Sequence, residues 1–328
     1  MRPKLTDVAK KAGVSPTTVS RVINNYGYLS KQTKNKVYQA MKELNYQPNS
    51  LARSLQGKRT NLVGVIIPSI DNPFFAELVA NIEKKLFEKN YKMILCNANY
   101  NKNKEQEYLR MLIANQVDGI ITGTHNLDIA EYDKVGLPII SFDRTLSDQI
   151  PIVSCDNYQG GQLATNELYN AGCRHIAFLG NPYSISNPTN ERLQAYQDTI
   201  SKLGLKSYIH TVKFSESAAL KTASVRQLLE QHTIDGIFCS DDLTALLVLQ
   251  EAKKEKIDIP HQLKVIGFDG TKLIQTYYPE LSTIVQPIAE IAELLTDLLY
   301  QKIEKEDLTF KINHFKLPVK ILRNETTL

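Results

Sequence analysis

The stretch "TDVAKKAGVSPTTVSRVIN", Thr6 to Asn24, reads as two short helices broken by a glycine. Thr6 is placed to cap the first, whose apolar side is Val8, Ala9 and Ala12. Gly13 ends it, since a helix C-terminus often needs the left-handed conformation that glycine tolerates. Ser15 offers a second N-cap, and Pro16 follows at the first helical position, where a missing N–H costs nothing. Val19, Val22 and Ile23 share one face by their spacing. Thr17, Ser20, Arg21 and Asn24 lie on the opposite face, which is small, polar and donor-rich, and so suited to base edges and phosphates. Ser30 can cap a third helix with Val37, Ala40, Met41 and Leu44 on its apolar side.

Charge separates this end from the rest. Residues 1–60 hold twelve Lys or Arg against two Asp or Glu, a net of +10, within a chain whose total is +4. The remainder therefore carries −6. Such segregation points to a polyanion held at one end. A solvated helical mini-domain would account for the helices but not for the charge.

Together with "LNYQPNSLARSLQGK" and "VIGFDGT", the helix pair resembles the lactose-repressor (LacI/GalR) family of bacterial transcription regulators. The resemblance spans the whole chain. Within the family, the headpiece and "ANQVDGII" are most similar to sucrose operon repressors, with ribose operon repressors next. The resemblance implies a helix-turn-helix headpiece (1–48) and a hinge helix or linker (49–60). A two-lobed core (61–328), like the periplasmic binding proteins, binds effector and dimerises. By the same resemblance Thr6, Ser15, Pro16, Thr17, Thr18, Ser20, Arg21, Asn24 and Tyr46 are expected at the operator, with Asn49, Ala52, Arg53 and Leu55 in the linker. Leu55 matches a leucine that wedges into the minor groove and kinks the duplex.

The core reads as α/β. "LVGVIIP", "KMILCNA", "DGIIT" and "PIISFD" are apolar runs of strand length separated by helical stretches, and the alternation restarts at "HIAFLG". Two doubly wound parallel sheets follow. The expected lobes are about 61–160 with 288–315 and about 161–287 with 316–328. Crossovers are expected near 157–162, 283–288 and about 315. Ligands of open α/β sheets sit beyond the carboxyl ends of the strands. Polar and aromatic residues gather there: Asn72, Phe74, Phe75, Asp143, Arg144, Asp156, Asp241 and Asp269. Any one of these carboxylates reads more readily as a helix cap than as a ligand group; their convergence on one cleft suits vicinal hydroxyls. The resemblance adds Arg192 and assigns Asp156, Arg192, Asp241 and Asp269 to the effector, with Phe74 or Phe75 as the aromatic wall. Asp241 departs from the asparagine usual in the lactose repressor, which favours a neutral sugar, while Arg144 and Arg192 leave a sugar phosphate open.

The function implied is a sequence-specific repressor of a carbohydrate operon, for sucrose or a fructoside, released from double-stranded operator DNA by a sugar or sugar phosphate. Rival readings within the family are a ribose- or purine-responsive regulator and a global catabolite regulator with a phosphoprotein corepressor. A sugar-processing enzyme would use the same carboxylates as acid and base. It leaves the basic headpiece unexplained, and no G-x-S-x-G, Walker loop or G-x-G-x-x-G after a strand is present. "YQGGQLA" lacks phosphate-loop spacing. The four cysteines and six histidines are scattered without ligand spacing, so no metal, cofactor or disulfide is expected. With no run of eighteen apolar residues and no apolar segment in "MRPKLTDVAKK", a cytoplasmic protein without membrane contact is expected. The C-terminus "FKLPVKILRNETTL" carries no leucine heptad, so a homodimer is expected rather than a tetramer. Its interface is expected on "FFAELVANIEKKLF" and near 275–295, with Leu78 or Leu86 either on that patch or facing the sheet.

Overall fold

The computed structural model describes residues 3–47, 59–124, 126, 129–134, 136–181, 187–214, 216–231, 233–305 and 312–328. They divide into two compact units, residues 1–60 and 61–328.

The first unit holds three helices, α1 (Leu5–Ala12), α2 (Pro16–Ile23) and α3 (Lys31–Glu43). Val8, Ala9, Val19, Val22, Val37 and Ala40 close a small core between them. Gly13 adopts φ 67°, and its amide and that of Val14 close the end of α1. Ser15 and Ser30 accept from the amides of Thr18 and Thr33, capping α2 and α3. Thr6 does not cap α1, contrary to expectation. The cap falls two residues earlier, at Lys4, and Asp7 accepts from the Lys4 amide at 2.7 Å. A carboxylate in the first turn serves that role because it also meets the positive end of the helix dipole.

The second unit contains two six-stranded sheets. One runs β11-β5-β4-β3-β1-β2, all parallel, from β1 (Leu62–Ile67), β2 (Lys92–Asn97), β3 (Gly119–Thr122), β4 (Ile139–Phe142), β5 (Ile152–Cys155) and β11 (His314–Leu317). The other runs β12-β10-β9-β8-β6-β7. Its members are β6 (Ile176–Gly180), β7 (Tyr208–Thr211), β8 (Gly236–Cys239), β9 (Lys264–Asp269), β10 (Ser282–Val285) and β12 (Lys320–Leu322), and only β12 is antiparallel. The central strands are buried along their length, because helices cover both faces.

Helices α4 (Pro73–Glu88) and α5 (Lys102–Ala114) belong to the first lobe. The second lobe carries α6 (Asn157–Asn170), α7 (Glu191–Lys202), α8 (Ala218–Leu229), α9 (Asp242–Lys254) and α10 (Lys272–Tyr277). Helix α11 (Ile288–Glu304) returns to pack on α4. The last passage between lobes falls at 318–319, three residues beyond the expected place. β11 continues to Leu317, which pairs with Cys155, before Pro318, which has no N–H to donate, ends the ladder.

Candidate functional site: headpiece surface and interlobe cleft

In the headpiece, the valines of α2 turn inward and leave Pro16, Thr17 and Arg21 exposed, with Thr18, Ser20 and Asn24 half-buried. Asn24 donates to the Ser20 carbonyl at 2.8 Å, and Thr18 meets the Ser15 hydroxyl at 2.9 Å. These bonds stiffen the helix, while the exposed Thr17 and Arg21 make no such bond to Ser15 or Ser20. Thr6 and Ser15 are exposed, whereas Tyr46 is half-buried and packs against the headpiece core. The turn after α2 presents Tyr26 and Tyr28, the latter 94% exposed. The sequence reading passed over them; two tyrosines between basic helices were the available signal. Asn49, Ala52, Arg53 and Leu55 lie outside the described residues.

Between the two lobes lies a narrow cleft. Its lining comes from the carboxyl ends of both sheets. Asn72 and Tyr100 follow β1 and β2, Phe142 and Asp143 end and follow β4, and Phe74 and Phe75 open α4. The other lobe supplies Thr189, Arg192, Phe214, Asp241, Asp269 and Gln286. Phe74 stacks on Phe142 at 5.6 Å and meets Phe75 edge-on at 5.3 Å, making one apolar wall.

The opposite wall is a hydrogen-bonded frame. Asp143 accepts from Asn157 Nδ2 at 2.9 Å and from the Thr189 hydroxyl at 2.8 Å, so one carboxylate ties the lobes together. Arg192 donates through Nε to Asn157 Oδ1 at 2.7 Å and through Nη1 to the Ser240 carbonyl at 2.6 Å. Its guanidinium lies 3.6 Å from the Phe268 ring centre. Gln286 Nε2 donates to Asp269 Oδ1 at 2.7 Å. Asp241 caps α9 through the Thr244 amide and hydroxyl, both at 2.8 Å. Beneath them, buried Asp242 accepts from the Gly270 amide at 2.7 Å and the Thr283 hydroxyl at 2.5 Å. Those bonds hold the turn in which Asp269 takes φ 122° and Gly270 φ 59°; Asp143 sits at φ 51°. At Asp143 and Asp269, which are not glycine, the positive φ is strain retained where the surroundings over-determine it.

Burial shapes the charges. It raises the carboxyl pKa of Asp143 and of Asp269, against the pull of Arg192 on both. Asp242 is raised to about 7, chiefly by burial. The Tyr100 phenol is pushed up to about 12 by burial, with Asp241 and Asp71 adding to it. The set can accept hydroxyl protons and stack on an apolar ring face. Among the described residues no group of three His, Cys, Asp or Glu is placed to hold a metal.

Known proteins share this arrangement in both units. Residues 4–49 match the family of bacterial regulatory proteins called the lacI family, and residues 60–322 match the periplasmic binding proteins and sugar binding domain of LacI family. The chain belongs to the LacI family. It is 56% identical over 326 residues to the sucrose operon repressor of Pediococcus pentosaceus, covering 99% of this chain and 100% of that one. It resembles the lac repressor dimer bound to operator and the anti-inducer ONPF, with a TM-score of 0.85, 26% identity and all of both chains covered. The complex of the transcriptional regulator CelR with cellobiose matches at TM-score 0.73 and 26% identity, over 99% of this chain and 100% of that one. This LacI-family chain is a DNA-binding transcription regulator and not an enzyme.

The expected effector residues of the LacI-family core are sorted by the structure. Asn72, Phe74, Phe75, Asp143, Arg192, Asp241 and Asp269 meet in the cleft. Arg144 and Asp156 do not. Arg144 is 2% exposed and turns into the first lobe, donating to Glu105 at 3.0 Å and to the Thr124 hydroxyl at 2.8 Å. A buried guanidinium requires a carboxylate, and Glu105 supplies it. Asp156 accepts from the Gln159 amide at 2.9 Å and serves as the cap of α6; its fully buried neighbour Asn157 is the residue bonded to Asp143 and Arg192. Tyr100, Phe142, Thr189, Phe214 and Gln286 were missed. Tyr100, Phe142, Phe214 and Gln286 stand at or just beyond strand ends, but none carries a charge. Thr189 sits in a short 3-10 turn, Pro188–Asn190, that only the packing brings in.

Proposed function

We propose that this regulator represses a carbohydrate-utilisation operon, for sucrose or a fructoside, and is released by a sugar or sugar phosphate bound between its lobes. The observation that carries the reading is the cleft. Acceptor groups from both lobes converge opposite an aromatic wall, in a chain that also bears a basic helix-turn-helix unit. The sucrose operon repressor at 56% identity supports the sugar, and the cellobiose complex supports a disaccharide-sized occupant.

The regulator acts in the cytoplasm as a homodimer. Two copies of α2 enter successive major grooves of a pseudo-palindrome about one helical turn apart. By its match in sequence Leu55, outside the described residues, is the wedge in the intervening minor groove, with Ala52 and Arg53 as its neighbours there. Exposed apolar side chains support a homodimer. Leu220, Leu243, Leu273, Tyr277 and Tyr278 are exposed on one lobe, and Ile70, Leu95 and Ile113 on the other. Ligand closure rotates the first lobes against each other and separates the linkers. Switching fully from 1:99 to 99:1 requires about 5.5 kcal/mol of differential affinity, which a few hydroxyl–carboxylate bonds of roughly 1.5–3 kcal/mol each supply.

Footprinting on the DNA upstream of the protein's own gene, with and without sucrose, fructose and their 6-phosphates, tests this. Protection of two half-sites, released by one of these compounds, is expected. Asp269→Asn keeps the footprint and loses the release, since an amide accepts on one oxygen only. A footprint indifferent to every one of them would remove the sugar reading.

A further inference from the structure

We infer that the cleft takes an uncharged sugar and rejects the phosphate ester of that sugar; this deepens, and rests on, the sugar-effector reading above. The described lining holds three carboxylates, Asp143, Asp241 and Asp269, and one cation, Arg192. A phosphate engages arginine through two parallel N–H bonds along one edge of the guanidinium. Two of its three nitrogens are already engaged: Nε donates to Asn157 at 2.7 Å and Nη1 donates to the Ser240 carbonyl at 2.6 Å. The guanidinium face is covered by Phe268 at 3.6 Å. Nη1 also lies 3.9 Å from Asp269 Oδ1, so the positive charge already has a partner. Arg144, next in sequence to Asp143, is paired with Glu105 inside the first lobe.

The cleft is instead rich in acceptors. Asp241 and Asp143 offer carboxylate oxygens, and Gln286 Oε1 is buried with no hydrogen-bond partner. A buried acceptor calls for a donor. Sugar hydroxyls bring O–H donors, whereas a phosphate dianion brings acceptors alone. Burial already raises Asp143 and Asp269 despite Arg192, so an added anion would compete for a cation that serves several carboxylates. Asp241 is the position that adds a full negative charge where an amide could cap the helix equally well. It discriminates by repulsion as much as by attraction.

Isothermal titration of the full-length protein with two matched pairs decides the matter: sucrose with sucrose 6-phosphate, and fructose with fructose 6-phosphate. The neutral member of the binding pair is expected to bind at least tenfold more tightly than its ester. In Asp241→Asn that ratio is expected to shrink several-fold through tighter ester binding. An ester that binds the wild type as tightly as its parent sugar overturns the inference and leaves the sugar reading intact. Binding of neither member of either pair overturns the sugar reading and the inference with it. An unchanged ratio in a folded Asp241→Asn protein overturns the role of that carboxylate. The wild-type comparison stands whether or not the variant folds.

Discussion

Gly161 sits where α6 meets α7, and a Cβ there would lie 2.5 Å from the Arg192 carbonyl oxygen. That oxygen is backbone and cannot swing aside. Gly161→Ala should therefore cost about 1–3 kcal/mol, in the range of overpacked sites, and should displace Arg192. A lower urea midpoint together with weaker sugar binding is expected; an unchanged midpoint would show that the helices part without cost. Asp242 supplies a second residue-scale prediction. Its carboxyl titrates near 7 when folded against 3.8 in the free side chain, so the folded state holds the proton more tightly. Its contribution is complete below the unfolded value and is lost as pH rises through the folded one. Between about pH 4 and about pH 7, wild-type stability should decline relative to Asp242→Asn, whose amide imitates the protonated acid. Parallel melting-temperature curves across that window would show that Asp242 stays in one state.

At the scale of elements, α2 was legible from its residues because each local choice agrees: a serine cap, a proline in the first turn, valines inward and polar groups outward. Arg21 remains exposed, with Nε loosely directed to the Tyr26 carbonyl at 3.4 Å. Arg21→Ala should weaken operator binding and relax its specificity, by about 1–3 kcal/mol if a base edge is lost. Gel-shift competition between operator and scrambled DNA measures both effects. A fall in affinity that is equal for the two DNAs would make Arg21 a phosphate contact. Helix α4 shows the opposite case. Its apolar stripe suits a second copy or the sheet, and Leu78 and Leu86 are buried on the protein's own sheet and on α11. A helical period shows that a stripe is buried, not against what. Asp156 and Asp241 make the same point for caps: both cap helices, and only Asp241 also lines the cleft.

For the whole molecule, the exposed apolar side chains of the second lobe mark one candidate dimer surface, beside that of α4, where Phe87 is 69% exposed. Leu243 and Tyr278 line one groove beside α8 and α9. Leu273 and Tyr277, on neighbouring α10, are 50% and 73% exposed. In a twofold dimer each patch is used twice. Leu273→Asp should shift sedimentation toward the monomer and collapse operator affinity, while the sugar titration persists because the cleft lies within one chain. A variant that stays dimeric would place the interface elsewhere.

Fold class, the order of strands and helices, the basic headpiece and most of the cleft could be read from the sequence. Those features are local: a hydrophobic period, a cap, a turn residue or a charge run acts over a few neighbours. What the tertiary structure alone decided was partnership. Arg144 and Glu105 are 39 residues apart, and nothing local says that the arginine turns inward to meet that carboxylate instead of the cleft. Gln286 and Thr189 enter the site because strand order and the lobe crossover bring distant loops to the same opening. That two of the three nitrogens of Arg192 are committed to Asn157 and Ser240 likewise emerges only from the packing, since composition counts charges but not their commitments.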